Sequence, residues 1–304
     1  MKLCYGLLFL PIVFSCSKSS DSSYKGLQSK ETTDYTGNIV RFSYSYDAQG
    51  RITSITQQKN NGQPTLSLTV NYQGNEAVLL SFPDTDPAYV QKKQVRYTLD
   101  ATGLPLQRIE FTQLTAKLVP VNPSQEFRND TIMYEYDASG MLAKTTRSRR
   151  DSVWVETNYT IIRQFSSRAT YSNSNGNLQL YDEYVTYPIV TMQGGMTTVS
   201  GGSSAYHQVY QYTKAFPNKT DFNNAFVLNE IKASYEPLLN SHYKNMPDKV
   251  ISDNTDKDMN GVTIFKGIDT INMDRLYNEN GLLSSVRIPP GHTQDTLVRY
   301  FYHN

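Results

Sequence analysis

Apolar and polar positions alternate along most of this chain. Phe42, Tyr44 and Tyr46 fall on one face of an extended segment, and Arg41, Ser43 and Ser45 fall on the other. A period of two is the mark of a half-buried strand. The same alternation sets Leu66, Leu68, Val70 and Tyr72 against Thr65, Ser67, Thr69 and Asn71. It returns through 77–82, 95–99, 109–118, 132–136, 143–147, 153–165, 178–190, 206–213, 262–265, 274–277, 283–288 and 297–302, with a loop carrying four glycines over 193–204. One interval breaks the rhythm. Over 216–245, Phe222, Phe226 and Leu228 to Ile231 fall at mixed spacing, Asp221 can cap a helix and Pro237 interrupts it. The pattern predicts one or two short helices near 220–245, covering an end or a face of the sheet.

The corners between strands repeat. Asp47-Ala48-Gln49-Gly50, Asp100-Ala101-Thr102-Gly103, Asp137-Ala138-Ser139-Gly140 and Asn278-Glu279-Asn280-Gly281 each follow a strand, three of them directly after a tyrosine. The Asp or Asn accepts backbone N–H groups at the first position of a turn, and Gly supplies the positive φ that closes it. Four copies predict an all-β fold, an extended antiparallel sheet of repeated hairpins curled toward a barrel. Asp47, Gly50, Asp100, Gly103, Asp137, Gly140, Asn278 and Gly281 are its structural turn residues.

The first residues carry a different signal. Lys2 precedes a short apolar run over 3–14, too short to span a bilayer as a mature helix. Val13-Phe14-Ser15-Cys16 resembles a bacterial lipobox, with Cys16 as the lipidated residue, and a Ser-rich tether follows over 17–23. The expected organisation is a signal peptide over 1–15, a lipidated cysteine and flexible tether over 16–35, and one hairpin-repeat domain over 36–304. Cleavage before Cys16 removes Cys4 and leaves no free thiol, which excludes disulfides, thiol nucleophiles and Cys-based metal sites from the mature domain.

Charge narrows the partners. Lys and Arg number 29 against 28 Asp and Glu, so no strongly basic surface points to nucleic acid. Tyr occurs 23 times and Trp once, at position 154. The expected partners are a membrane, through the lipid anchor, and a glycan or another envelope protein. The expected location is the cell envelope, as an outer-membrane lipoprotein facing the periplasm or the cell surface.

Candidate chemistry is sparse. Asp256-Lys257-Asp258-Met259-Asn260-Gly261 matches the first half of a calcium loop, with Asp256, Asp258 and Asn260 as alternate oxygen ligands. Its twelfth position is Gly267 where a bidentate Glu would close the site, and the alternative is a solvated hairpin turn. No other cofactor is expected. His207, His242, His292 and His303 lack metal-ligand spacing. Gly201-Gly202-Ser203-Ser204 makes no nucleophile elbow, and Glu183 beside Tyr181 and Tyr184 is the nearest approach to a glycosidase carboxylate. Lys144, Arg147, Arg149 and Arg150 form a basic cluster, read as a solvated guard on a sheet edge. With no catalytic motif, a non-enzymatic role is expected.

The Tyr-x-Tyr-Asp-x-x-Gly-x-Leu units resemble the YD repeats of RHS proteins, which wind hairpins into long sheets. Together with the Cys16 motif, the interruption at 216–245, Met246-Pro247-Asp248-Lys249-Val250 and the closing unit from Tyr277 to Leu283, the layout resembles a bacterial lipoprotein family of unknown function described as porin-like. The resemblance implies a sheet of wound hairpins on a lipid anchor. It carries no catalytic or ligand residues, because no activity is assigned to that family.

Overall fold

The structure is a computed structural model and describes residues 27–33, 36–81, 89–116, 125–156, 159–212, 216–217, 227, 230, 244–279, 283–288 and 296–302. The strands of the first half are β1 (Leu27–Thr33), β2 (Ile39–Tyr46), β3 (Ile52–Lys59), β4 (Thr65–Gln73), β5 (Glu76–Ser81), β6 (Tyr89–Leu99), β7 (Pro105–Ala116), β8 (Gln125–Tyr136) and β9 (Leu142–Glu156). Then come β10 (Tyr159–Ser174), β11 (Asn177–Thr186), β12 (Ile189–Gln193), β13 (Met196–Ser200) and β14 (Gly202–Gln211). Two short strands follow, β15 (Phe216–Pro217) and β16 (Asn245–Met246). The chain ends with β17 (Lys249–Asp258), β18 (Thr263–Asn272), β19 (Asp274–Tyr277), β20 (Leu283–Ile288) and β21 (Thr296–Tyr302).

Among the described residues nineteen strands form one sheet, and every pairing is antiparallel. From β1 to β10 each strand pairs with the next in sequence. β10 then carries both β11 and β12, which continue into β14 and β13, and β14 leads to β17 and β18. On the far side β1 takes β21, then β20 and β19. The ladder therefore ends at β18 and β19, which are consecutive in the chain with only Met273 between them. The sheet must curl to bring its ends to one segment, yet no ladder between them closes it into a barrel.

The alternation read from the sequence sets the inner face. Ile52, Ile55, Ala77, Leu79, Val95 and Leu178 are fully or almost fully buried in one apolar cluster that also holds Tyr44, Tyr97 and Tyr210. Burying one such aliphatic side chain contributes about 1.5–3 kcal/mol. The interval at 216–245 is closed at its base by β15 against β16. Between them Val227 and Glu230 are the described residues, and both are helical. Val227 is fully buried in the cluster, so the interval reaches the core instead of only covering an end of the sheet.

The glycine-rich loop expected over 193–204 is instead mostly strand. Gly194 and Gly195 both have positive φ, which suits a two-residue hairpin turn, and Gln193 faces Met196 across it. Thr197, Thr198 and Val199 extend the backbone beyond the turn.

Candidate functional site

The turns come first, because they place everything else. In Asp47, Asp100 and Asp137 one carboxylate oxygen accepts the N–H groups two and four residues ahead. Gly50, Gly103 and Gly140 donate back to the Asp carbonyl with φ of 76°, 89° and 79°. Burial works against ionisation of these carboxyls, but the hydrogen bonds outweigh it and hold all three below their ordinary range. The fourth corner keeps the common register: Tyr277 faces Leu283 next to a bulge, as Tyr46 faces Ile52 and Tyr136 faces Leu142. Gly281 and Cys16 lie outside the described residues.

A fifth corner has the same geometry. Asp258 accepts the N–H groups of Asn260 and Val262, Gly261 has φ of 79°, and Lys257 faces Thr263 next to a bulge. The run from Asp256 to Gly261, read as half a calcium loop with a hairpin turn as its alternative, thus forms a hairpin turn. The Asp258 carboxylate is engaged by the turn, and Asp256 belongs to β17, where it faces Ser204 and Phe265. Among the described residues no group of three His, Cys, Asp or Glu is placed to hold a metal.

Tyrosine has a second role that the periodicity did not reveal. Tyr46, Tyr72, Tyr136 and Tyr212 donate their hydroxyls to the carbonyls of Leu27, Ile52, Pro105 and Leu178, at 2.5–3.1 Å. Each clasps the end of its strand to the start of the neighbouring one. The signal was present in the tyrosine directly before the Asp of two turns.

The most unusual chemistry lies on the inner face of β6 to β9. Alternation turns Lys93 and Tyr97, then Arg108, Glu110 and Thr112, inward from two adjacent strands, and the register sets Tyr97 beside Arg108 and Glu110 beside Asp130. Arg108 bonds Glu110 and lies 3.5 Å from Asp130, and Lys93 is 3.6 Å from Glu110. Asp130 receives both arms of Arg147 at 2.8 and 2.6 Å. Fully buried Asp151 takes Arg149 in the same forked way and Arg128 at 3.3 Å, and Arg128 also reaches Glu126.

Glu230 completes the group. Its Oε1 accepts from Arg108 Nε at 2.5 Å and from the Tyr97 hydroxyl at 2.6 Å. Its Oε2 accepts from Lys93 at 2.7 Å and from Arg108 Nη2 at 3.0 Å. Five cations thus meet five carboxylates. Burial raises the Glu230 pKa, but the bonds and charges of Arg108 and Lys93 prevail and bring it down to about 2. Glu110 is lowered as well, burial being outweighed by Lys93 and Arg108. Burial drives the Tyr97 pKa well above its usual value, and the Glu230 charge adds to that.

This placement corrects the edge-guard reading of the basic cluster. β9 lies between β8 and β10, and Arg147 and Arg149 point inward to Asp130 and Asp151. Lys144 pairs with Glu135 across the strands. His207 is exposed and meets Asp182 at 2.6 Å beside an open groove of about 470 Å³. Glu183 accepts the Tyr181 hydroxyl at 2.5 Å.

No protein-family model matches the chain, and no curated protein does. Two solved structures are similar to it over most of their length. One is a porin-like protein from Bacteroides vulgatus, at 11% identity and a TM-score of 0.48, covering 91% of this chain and 98% of that one. The other is a porin-like protein from Bacteroides uniformis, at 14% identity and a TM-score of 0.44, covering 91% and 97%.

Proposed function

We propose that the chain is a lipid-anchored protein of the cell envelope, tethered through Cys16, whose curled sheet acts as a non-catalytic binding or structural module. The observation behind the non-catalytic part is geometric: the inner carboxylates are each tied to a cation, and those with clear shifts are poor general acids. General acid catalysis near neutrality needs a carboxyl with a raised pKa. Glu110 and Glu230, the network carboxyls with clear shifts, are moved the other way by their cations. The anchoring part rests on the motif from Val13 to Cys16 and the Ser-rich run after it. Labelled palmitate should enter the parent chain, and Cys16→Ala should lose both the label and the membrane fraction. Label retained by Cys16→Ala would sink the anchor.

A glycan-binding surface lipoprotein serving polysaccharide uptake is the second reading, and one cluster favours it. Trp154 is 44% exposed and meets Phe127 edge-on at 5.1 Å, with Phe111 at 6.3 Å from Phe127. Exposed rings on a sheet face can stack on the C–H faces of a sugar. Trp154 is the only tryptophan, so its fluorescence reports directly on such an encounter. Unchanged emission across a panel of neutral polysaccharides would count against this reading.

A further inference from the structure

The inner face of β6 and β7 presents donors in two pairs, aimed at one point. Lys93, Tyr97 and Arg108 belong to the sheet, whereas the carboxylate they hold comes from more than a hundred residues later in the chain. Without Glu230 the same face holds five cations and four carboxylates, and the uncompensated charge falls on Lys93 and Arg108. Its two oxygens accept four hydrogen bonds, which fills the capacity of a carboxylate.

We propose that Lys93, Tyr97 and Arg108 form a carboxylate-binding site on the inner face of the sheet, and that Glu230 is its built-in ligand. The chemistry selects the ligand class. A planar anion with two oxygens matches the Arg108 fork with a further donor on each side. Without Glu230 the group carries one uncompensated positive charge, which a single carboxylate neutralises and a doubly charged anion overshoots beside Glu110 and Asp130. Occupancy also has a structural consequence. Glu230 follows Val227 by three residues in the chain, so the bond fixes a second point of the interval beside the one Val227 buries in the core. Its depressed pKa keeps the ligand charged across the physiological range. The proposal goes beyond the envelope-module reading and does not depend on Cys16.

Glu230→Ala removes the ligand and leaves the site. It should melt below the parent in sodium chloride, and sodium formate at the same ionic strength should recover at least half of the lost Tm, because a ligand that binds the folded state stabilises it. Each Tm is read against the parent in the same salt, because sulfate stabilises folded chains in general, and on that scale sodium sulfate should recover less. Recovery by formate no greater than by chloride or sulfate would overturn the proposal. Should the alanine variant fail to fold in chloride and in formate alike, Glu230→Gln decides, since it keeps the shape and loses the charge. It should melt below the parent at neutral pH, with the gap closing as the pH falls toward 2. A Glu230→Gln chain that melts with the parent at neutral pH would equally overturn the site.

Discussion

The carboxylate of Asp137 serves two backbone N–H groups and the Ser139 hydroxyl, while Gly140 carries the positive φ that closes the turn. The two neighbours should respond differently to substitution. Gly140→Val places a branched side chain in a left-handed backbone, at a cost of about 1 kcal/mol or more. Ser139→Ala removes only an exposed hydroxyl and should cost a few tenths at most, roughly the level of a surface substitution. Thermal melts of the two variants test the assignment, and equal melting would contradict it. The turn was legible because its residues are adjacent in sequence. The fifth copy at Asp258 was written in the same letters, Asp-x-x-Gly, but lacked the aromatic strand before it and was read as half a calcium loop. The tyrosine clasps were hidden for a different reason. The carbonyl that Tyr136 reaches belongs to Pro105 on another strand, and a period of two names a face without naming a partner.

Strands were legible wherever the alternation was clean, and less so where the chain changes partner. The sequence reads 178–190 as one strand. The structure breaks it at Tyr187 and Pro188, so that β11 and β12 both pair with β10. Opposite the break, Gly201 has φ of 130°, and a side chain there would come within 2.2 Å of the Tyr187 carbonyl oxygen and 2.8 Å of Pro188 Cα. Both obstacles are backbone and cannot swing aside. Gly194, at the tip of the neighbouring hairpin, has φ of 56° and nothing within 4 Å of a built Cβ. Gly194→Ala should therefore cost about 1 kcal/mol, the conformational penalty alone. Gly201→Ala should cost clearly more, because backbone must move as well. Urea unfolding of the pair distinguishes a tight crossing from an ordinary turn. The inner charges of β9 show the opposite limit of sequence reading. Arg147 and Arg149 looked like solvated charges because Asp130 on β8 is set against them only by register.

Across the whole molecule the titrating groups pull in consistent directions. Glu31 is lowered, by its hydrogen bond to Arg41 first, and burial is outweighed at Asp47, Asp100, Glu110, Asp137 and Glu230. A depressed carboxyl contributes stability above its unfolded pKa, and that contribution is lost as the pH falls through the folded one. For Glu230 the window runs from the ordinary 4.5 down to about 2. The tyrosines define a second window. Burial raises the pKa of Tyr72, Tyr97, Tyr134, Tyr136, Tyr171 and Tyr181 above the ordinary 10. A raised group contributes stability that is full below the unfolded value and is lost as the pH climbs toward the folded one. Urea midpoints should therefore hold level between about pH 5 and 9, fall on the acid side below about 4.5, and fall again above about 10. The alkaline loss is the more specific of the two, because ordinary carboxylate pairing produces only an acid limb. It should come with more tyrosinate absorbance in the unfolded chain than in the folded one at the same pH, the difference being the buried tyrosines. A level midpoint through pH 11, or as much tyrosinate in the folded protein as in the unfolded chain at that pH, would mean that these hydroxyls are not held inside the sheet.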